Sequence, residues 1–319
     1  AEHTLHEMPS ISTLASHGWS RNLHLENPFA ALTITLDVGP RILDYRLRHA
    51  ENIFHTVADQ LGGCGESMWR SRGGHRFWLA PESLELSYYP DNQAVDYRED
   101  PVTGEIIIDA LQATPQPVLK TLGIRLSPES SQVTVRHTAT NQSDRSITVA
   151  PWGLSVMRPG GLEIIPQPPS GKHPEALLPD RKVVLWPYTD LRDKRWQLGT
   201  KFWTLRQAQS SPTKIGLAHR EGWVAYLHKR ILFVKVIEYQ ADASYPDGGC
   251  NFETFTNDKM LEVESLGPLT TLEPGASVSH SEHWDLIALN DDPDCAGDEQ
   301  IESWLLPLLR GRGIPGVHR

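Results

Sequence analysis

The feature that most constrains the fold is an apolar period of two that recurs in many short segments. In one such segment, Leu32, Ile34, Leu36 and Val38 alternate with small or polar residues, which is typical of a strand with one buried face. Further strands are predicted at 41–47, 84–89, 118–126, 132–138, 146–154, 214–219, 223–228, 231–239, 260–266 and 278–289, and short strands within 97–111 are separated by a turn at 100–104. The sequence therefore predicts an all-β chain, with antiparallel strands in two large sheets packed face to face and few helices.

Only the C-terminal segment 298–309 has helical spacing. Asp298 is its predicted N-cap, and Pro307 is expected to end the helix early. Residues 158–195 are irregular and rich in proline, which is typical of a functional loop or a cover over a site. Because no internal repeat and no break in composition divides the chain, we predict a single domain over residues 1–319.

The composition argues against several classes of protein. The chain of 319 residues has a formal net charge of −10, whereas nucleic-acid binding favours a basic face. Its three cysteines show no C-x-x-C spacing, which argues against a disulfide framework and a structural zinc site. No apolar run approaches the roughly 18 residues of a membrane span. We expect a soluble protein, cytoplasmic rather than periplasmic, with no nucleic-acid or membrane partner; the oligomeric state is left open.

The motifs of common cofactor and metal enzymes are missing from the sequence. It has no G-x-G-x-x-G between a strand and a helix, no Walker A sequence, no H-E-x-x-H and no G-x-S-x-G. We therefore predict no cofactor and no metal. A cation held by His75 together with Glu262 or Glu264 is the less favoured alternative.

The stretch Trp69–Glu82 concentrates aromatic and charged residues around the pair Gly73-Gly74, which permits a sharp turn or a close approach of the backbone. A pyranose has apolar C–H faces and a rim of hydroxyls, so flat aromatic faces ringed by hydrogen-bonding groups suit a sugar. A surface loop with solvated arginines is the alternative. The residues predicted to face a ligand are Arg72, His75, Arg76, Trp78 and Glu82.

A second candidate region contains two carboxylates on one predicted strand. Glu262 and Glu264 are two residues apart and therefore point to the same face, while Leu261 and Val263 point to the other. Adjacent carboxylates raise the pKa of one of them or require a nearby cation. Glu253 is a third carboxylate that we predict on the same wall. A solvated strand face is the alternative for such a pair.

Two motifs together resemble those of a known family. The segment Arg72–Pro81 looks like the Arg-Gly-Gly-x-Pro-x-x-Trp-Pro segment of the hexose-6-phosphate mutarotases, and Met260–Glu264 resembles their late strand, which ends in the catalytic Glu. Their order and spacing agree across residues 32–289. The chain thus resembles the galactose mutarotase-like, or aldose 1-epimerase-like, superfamily, with closest likeness to an uncharacterised branch. The resemblance implies a large antiparallel β-supersandwich and a small-molecule carbohydrate as partner.

The resemblance also implies roles for individual residues. Arg72 falls at the family's substrate-contacting Arg, and Glu264 falls at its general base. Trp152 stands where the family has its general acid, a His, so His75 is predicted to act as the acid instead, with His173 as an alternative. The substrate-binding residues predicted around them are Arg72, Arg76, Trp78, Glu82, Trp152, Glu253 and Glu262.

These assignments imply a reaction without a cofactor, in which a base and an acid open the sugar ring and let it close on the other face. One alternative is a carbohydrate-binding protein that kept the groove and lost the acid. Another is an elimination from a uronate, which requires a base and an arginine that neutralises the anion.

Overall fold

The computed structural model describes residues 7–110 and 116–317 of the chain. Within them it has one 3₁₀ turn, at Ala58–Gln60, and one α-helix, α1, at Asp298–Gly311. The strands in chain order are β1 Ser10–Ser16, β2 Trp19–Glu26, β3 Ala30–Thr35, β4 Arg41–Leu47, β5 His75–Ala80, β6 Tyr97–Glu99, β7 Ile106–Asp109, β8 Val118–Leu126, β9 Val133–Asn141, β10 Ile147–Val156, β11 Leu162–Pro166, β12 Val183–Leu185, β13 Trp196–Leu198, β14 Phe202–Arg206, β15 Thr213–Leu217, β16 Trp223–His228, β17 Ile231–Val236, β18 Phe252–Thr256, β19 Leu261–Leu266, β20 Thr270–Leu272 and β21 Ser277–Ala288.

The strands form two antiparallel sheets, which confirms the predicted all-β architecture. The first sheet, sheet 1, has the order β1-β2-β3-β4-β5-β10-β19-β18-β15-β12, with β20 paired to the other part of β10. Sheet 2 has the order β13-β14-β11-β16-β17-β21-β9-β8-β7-β6. Strands far apart in sequence thus become neighbours, and β5, β10, β19, β18 and β15 lie side by side at the centre of sheet 1.

The main hydrophobic core fills the space between the two sheets. Ile34, Phe77 and Val263 point into it from sheet 1, and Phe233 and Trp284 meet them from sheet 2. Burying each such side chain contributes roughly 1.5–3 kcal/mol to folding. Because side chains alternate along a strand, the other face of sheet 1 remains available for polar and aromatic residues.

The structure differs from the predictions at the strand proposed for 84–89 and in the segment proposed to be irregular, and it adds strands that were not predicted, among them β1 and β2. Residues 84–89 form turns, because the Ser83 carbonyl accepts from the Ser87 amide at 3.0 Å and the Ser83 hydroxyl accepts from the Leu86 amide at 3.0 Å. Such local bonds compete with a sheet ladder. The segment 158–195 is not irregular throughout, since it contains β12 and β11, and β11 is buried between β14 and β16.

The C-terminal helix begins as predicted but is not interrupted by Pro307, which lies inside α1. Gly297, and not Asp298, is its N-cap. The Asp298 carboxylate instead accepts from the backbone amides of Lys201 and Phe202, at 3.0 Å each, and so ties the helix to β14. No helix in the described ranges is both long and apolar enough to cross a membrane.

Candidate functional site

A cavity of about 540 Å³ opens on the outer face of sheet 1, the face turned away from the main core. It brings together six of the predicted site residues: Arg76, Trp78, Glu82, Trp152, Glu262 and Glu264. Four aromatic residues that were not predicted to bind a ligand, Trp69, Tyr88, Tyr188 and Phe255, also line it.

Strand register explains why these residues meet. Arg76 of β5 lies opposite Leu154 of β10, Leu154 lies opposite Glu264 of β19, and Glu264 lies opposite Glu253 of β18. Residues directly opposite in a ladder share a face of the sheet. The row continues to Gly216 of β15. One row across five strands thus places the focal stretch beside the Glu264 strand, although about 190 residues separate them in sequence.

Glu264 is the titratable group at the centre of this row. Its Oε1 accepts a hydrogen bond from the Trp152 indole N–H at 2.9 Å, and its Oε2 has no hydrogen-bond partner among the described residues. Burial raises the pKa of Glu264 to about 7, although the cations Lys214 and Arg76 oppose this rise. The carboxyl therefore exchanges protons near neutral pH while one of its oxygens stays available.

Lys214 of β15 is a cavity residue that the sequence reasoning missed. Its Nζ lies 3.0 Å from Glu253 Oε1, and it sits 4.9 Å from the ring centroid of Trp152 and 4.6 Å from that of Trp186. Burial alone would lower the pKa of Lys214, but the carboxylates Glu264 and Glu253 outweigh it and raise that pKa. The alternation of side chains along a strand could have identified it, because Lys214 is adjacent to the core residue Ile215 and therefore points to the opposite face of the sheet.

Arg76 holds a second charged pair in the cavity. Its Nη1 lies 2.9 Å from Glu262 Oε2, and its guanidinium stacks 4.2 Å from the ring centroid of Trp78 and 5.0 Å from that of Trp69. Within the described residues, Arg76 Nε and Trp78 Nε1 are buried without a hydrogen bond. Buried polar atoms normally find partners, so these atoms favour a polar ligand.

Trp78 and Trp152, which were predicted to bind the substrate, have little exposed ring surface for a ligand. Both indoles are buried, and their centroids lie 5.4 Å apart in an edge-to-face arrangement. Cations already cover one face of each. The more open aromatic side chains of the cavity are Trp69, Tyr88 and the exposed Tyr188. Glu82 lies at the surface, where it accepts a hydrogen bond from the Tyr88 hydroxyl at 2.9 Å.

His75 does not line the cavity, so the predicted acid is in the wrong place. It precedes Arg76 on β5 and points to the opposite face, into the space between the sheets, where it is fully buried. There the Ser155 hydroxyl donates to its Nδ1 at 2.8 Å, and its Nε2 donates to His137 Nε2 at 2.8 Å. Burial lowers the pKa of His75 well below the usual value, so the ring is neutral. The alternative acid His173 is exposed and is not among the residues that line the cavity.

The interior network around His75 is anchored by a buried ion pair. Lys235 Nζ lies 3.1 Å from Glu282 Oε1 and donates to Ser155 Oγ at 2.8 Å. Burial alone would raise the pKa of Glu282, but the Lys235 ammonium lowers it by more. The pKa of Glu282 therefore lies well below the usual range. The Trp284 indole N–H also donates to Glu282 at 2.9 Å.

His75, His137 and Glu282 form a cluster whose ligand atoms lie within 4.8 Å of one another, a set that suits a metal ion. The Lys235 ammonium already neutralises Glu282 there. His137 Nδ1 donates to the His280 carbonyl at 2.9 Å, which leaves its Nε2 to accept from His75. The network is therefore satisfied by protein groups alone. The alternative cation site, formed by His75 together with Glu262 or Glu264, is wrong because His75 points to one face of sheet 1 and the two glutamates point to the other.

Arg72 and Glu253 also lie outside the cavity. Arg72 is buried and donates to the Gln60 carbonyl at 2.6 Å, to Glu66 at 2.6 Å and to Asn92 at 2.9 Å, so it holds loops together. Glu253 is buried behind Lys214, and burial raises its pKa well above the usual value.

The Gly73-Gly74 pair has the role that the sequence predicted. Both residues have positive φ, 89° and 71°. A Cβ on Gly73 would lie 2.1 Å from the His55 carbonyl oxygen, and one on Gly74 would lie 2.2 Å from that of Ile42. Only glycine permits so close an approach, and it sets the start of β5 and the phase of Arg76 and Trp78.

Replacing Trp152 with phenylalanine should raise the pKa of Glu264 further, because the indole N–H hydrogen bond favours the carboxylate. A hydrogen bond to a charged group contributes roughly 1.5–3 kcal/mol, so we expect the pKa to rise by about one to two units. The measurement is a ¹³C NMR titration of the Glu264 side chain. An unchanged titration midpoint would show that the bond does not set this pKa.

Comparison with known proteins agrees with the fold. No protein-family model matches the chain, and no curated protein matches it. Among solved structures, a galactose mutarotase-like protein from Lactobacillus casei is 13% identical, with a TM-score of 0.55 over 87% of this chain and 100% of that one. A galactose mutarotase related enzyme from Lactobacillus acidophilus is 10% identical, with a TM-score of 0.52 over 85% of this chain and 99% of that one.

A candidate aldose 1-epimerase from Klebsiella pneumoniae is 12% identical, with a TM-score of 0.56 over 92% of this chain and 85% of that one. The likeness to these proteins is one of fold. The chain therefore has the galactose mutarotase-like β-sandwich fold, as its sequence predicted.

Proposed function

We propose that the cavity binds a sugar and that the protein interconverts the α and β anomers, with Glu264 as the general base. The observation that carries the proposal is the Glu264 carboxyl, which is buried in an aromatic cavity, has a pKa of about 7 and keeps Oε2 without a hydrogen bond within the described residues. A general base is most effective when its pKa lies near the working pH. The fold of mutarotase-like proteins supports the same class of reaction.

In this reaction Glu264 takes the proton of the anomeric hydroxyl. The electrons of that O–H bond form the carbonyl at C1, and the bond from C1 to the ring oxygen breaks. The ring oxygen takes a proton from Lys214, the buried ammonium that lies in the same cavity. Rotation about the C1–C2 bond presents the other face of the carbonyl. Ring closure then returns both protons, so no cofactor is consumed.

The remaining cavity groups suit the binding of a pyranose. Arg76 Nε and Trp78 Nε1 are donors without a partner in the described structure, and Glu264 Oε2 is an acceptor of the same kind. Sugar hydroxyls supply both types of partner. The rings of Trp69 and Tyr88 offer apolar surface for the C–H faces.

A sugar-binding protein without catalysis is the second candidate. Two observations favour it: the residues lining the cavity include no histidine, and the pKa of Lys214 is raised, which makes its ammonium a slow proton donor near neutral pH. Elimination from a uronate is not proposed. Arg76 is paired with Glu262 and Arg72 with Glu66, so neither is available to neutralise a substrate carboxylate.

Saturation-transfer NMR at the anomeric protons of glucose and galactose tests the proposal. We expect the protein to accelerate α/β exchange, with a rate that rises as the pH passes through about 7, because Glu264 must lose its proton to act as a base. Saturation transfer from the protein to the sugar without faster exchange would support the binding protein instead. Neither binding nor exchange with any aldose would reject both candidates.

A further inference from the structure

A second cavity, also of about 540 Å³, has no part in the proposed reaction. Its charged lining residues are Asp180, Arg181, Lys182 and Arg220, three cations against one carboxylate. The first cavity has the opposite balance, with Glu82, Glu262 and Glu264 against Arg76 and Lys214. The two cavities are therefore suited to ligand groups of different charge.

The two cavities are connected by strand β15. Lys214, near its start, lines the first cavity, and Ala218, just past its end, lines the second. The Ala218 amide still donates to the Lys182 carbonyl, at 3.3 Å, so the extended pairing with the β12 side continues to that point. Four residues of extended chain span about 14 Å. Residues 214, 216 and 218 share one face, so both cavities open on the same side of sheet 1.

Gly216 lies midway between the cavities and is covered by Trp186 and Cys250. A Cβ on Gly216 would come within 2.6 Å of the Cys250 sulfur and 3.1 Å of the Trp186 ring. The missing side chain lets the indole lie low on the sheet, with the Lys214 ammonium 4.6 Å from its ring centroid. A ligand that leaves the first cavity along β15 therefore crosses an aromatic side chain.

Arg220 is the best-positioned donor of the second cavity. Its guanidinium lies 5.2 Å from the ring centroid of Tyr239, and Tyr239 stacks on Tyr245 with centroids 5.5 Å apart and an interplanar angle of 13°. The Tyr245 hydroxyl is held by the Gln240 amide at 2.9 Å. A planar guanidinium on an aromatic stack is oriented in advance for a carboxylate.

The nearest carboxylate of the lining is already neutralised. Arg181 donates to both oxygens of Asp180, at 2.7 Å and 3.0 Å. Lys182 donates to the Gly248 carbonyl at 2.9 Å, which holds it at the rim of the cavity. With three cations and one carboxylate, the lining keeps a net positive charge, to which Arg220 and Lys182 contribute.

We propose that the ligand is a short acidic glycan, whose reducing-end sugar occupies the first cavity, whose middle unit crosses Trp186, and whose third unit places a carboxylate against Arg220 in the second cavity. The proposal rests on the function proposed for the first cavity, and it names the substrate class. A neutral reducing end avoids repulsion from the carboxylates of the first cavity, and an acidic third unit matches the cations of the second.

Isothermal titration calorimetry with matched trisaccharides tests the proposal. The probes are cellotriose, maltotriose and laminaritriose, each paired with the counterpart in which glucuronic acid replaces the non-reducing glucose. We expect at least one acidic trisaccharide to bind roughly tenfold more tightly than its neutral twin and than glucose. Arg220→Gln should remove that gain and leave glucose affinity unchanged, whereas the matched surface control Arg230→Gln should keep it.

The proposal is overturned if no acidic trisaccharide binds more tightly than its neutral twin, or if the gain in affinity survives Arg220→Gln. The two proposals fail in different ways. If glucose exchanges anomers and no acidic trisaccharide gains affinity, only the acidic-glycan proposal fails. If an acidic trisaccharide binds through Arg220 while no reducing sugar exchanges anomers, the catalytic function fails and the second cavity keeps its assignment.

Discussion

Glu264→Gln is expected to slow anomer exchange by roughly 10²–10⁴-fold while the protein still binds sugar. Glutamine keeps the size of the side chain and can still accept the hydrogen bond from the Trp152 indole, but it cannot take a proton. Saturation-transfer NMR gives the exchange rate, and calorimetry gives the affinity. The matched control is Glu129→Gln, on an exposed turn, which should leave both unchanged. An equal rate of anomer exchange in Glu264→Gln and the parent protein would show that Glu264 is not the general base.

The same variant should be more stable than the parent protein at pH 8. The pKa of Glu264 is raised to about 7 by burial, from 4.5. A carboxyl group whose pKa is higher in the folded than in the unfolded protein stabilises the fold when the pH is below its unfolded-state pKa. This stabilisation is lost as the pH rises through its folded-state pKa. At pH 8 the parent protein therefore contains a buried, ionised carboxylate, which glutamine removes.

We expect a gain of roughly 1–3 kcal/mol in the free energy of unfolding at pH 8, and little gain at pH 5. Urea denaturation at the two pH values measures it. A variant that loses activity and gains stability would indicate a functional carboxyl, whereas a loss of both would indicate a structural one.

Lys235→Met is expected to lower the free energy of unfolding by roughly 3–5 kcal/mol. The substitution leaves Glu282 fully buried without its cation, and it also removes hydrogen bonds to Ser155 at 2.8 Å and to the Val263 carbonyl at 2.9 Å. Methionine is similar in length, so the change in packing is small compared with the loss of charge. Urea denaturation at neutral pH measures the effect.

The double variant Lys235→Met/Glu282→Gln should recover much of this loss, because it removes both charges together. Lys229→Met is a matched control on an exposed lysine, which should change stability by no more than about 0.5 kcal/mol. If Lys235→Met were as stable as the parent protein, the interior network would not depend on its ion pair. A bound metal at His75, His137 and Glu282 would be the next explanation to examine.

The sequence predicted the fold well because the strands of this chain carry strong periodicity. Strands β8 and β16 have the predicted bounds, and Glu262 and Glu264 share the predicted face. Each of these features depends on local alternation, which a single sequence contains. The short β12 and the turns at 84–89 were not predicted, since there the local pattern is weak or is overridden by serine side chains.

His75 shows the limit of the same reasoning. The resemblance aligned its segment with a substrate-holding motif, but alternation on β5 sends His75 to one face and Arg76 to the other. Which face becomes the cavity depends on how the two sheets pack. The arginines divide in the same way, since Arg72 holds loops together and Arg76 lines the cavity.

The sequence by itself determined the all-β architecture, the turn at Gly73-Gly74 and the shared face of Glu262 and Glu264. Only the tertiary structure decided that Lys214 faces Glu264, that His75 joins Lys235 and Glu282 in the interior, and that a second cavity lies along β15. The physical reason is that strand alternation is local, whereas strand order and the choice of buried face are set by contacts between distant segments. The arrangement of the two cavities and of the interior network therefore depends on those contacts.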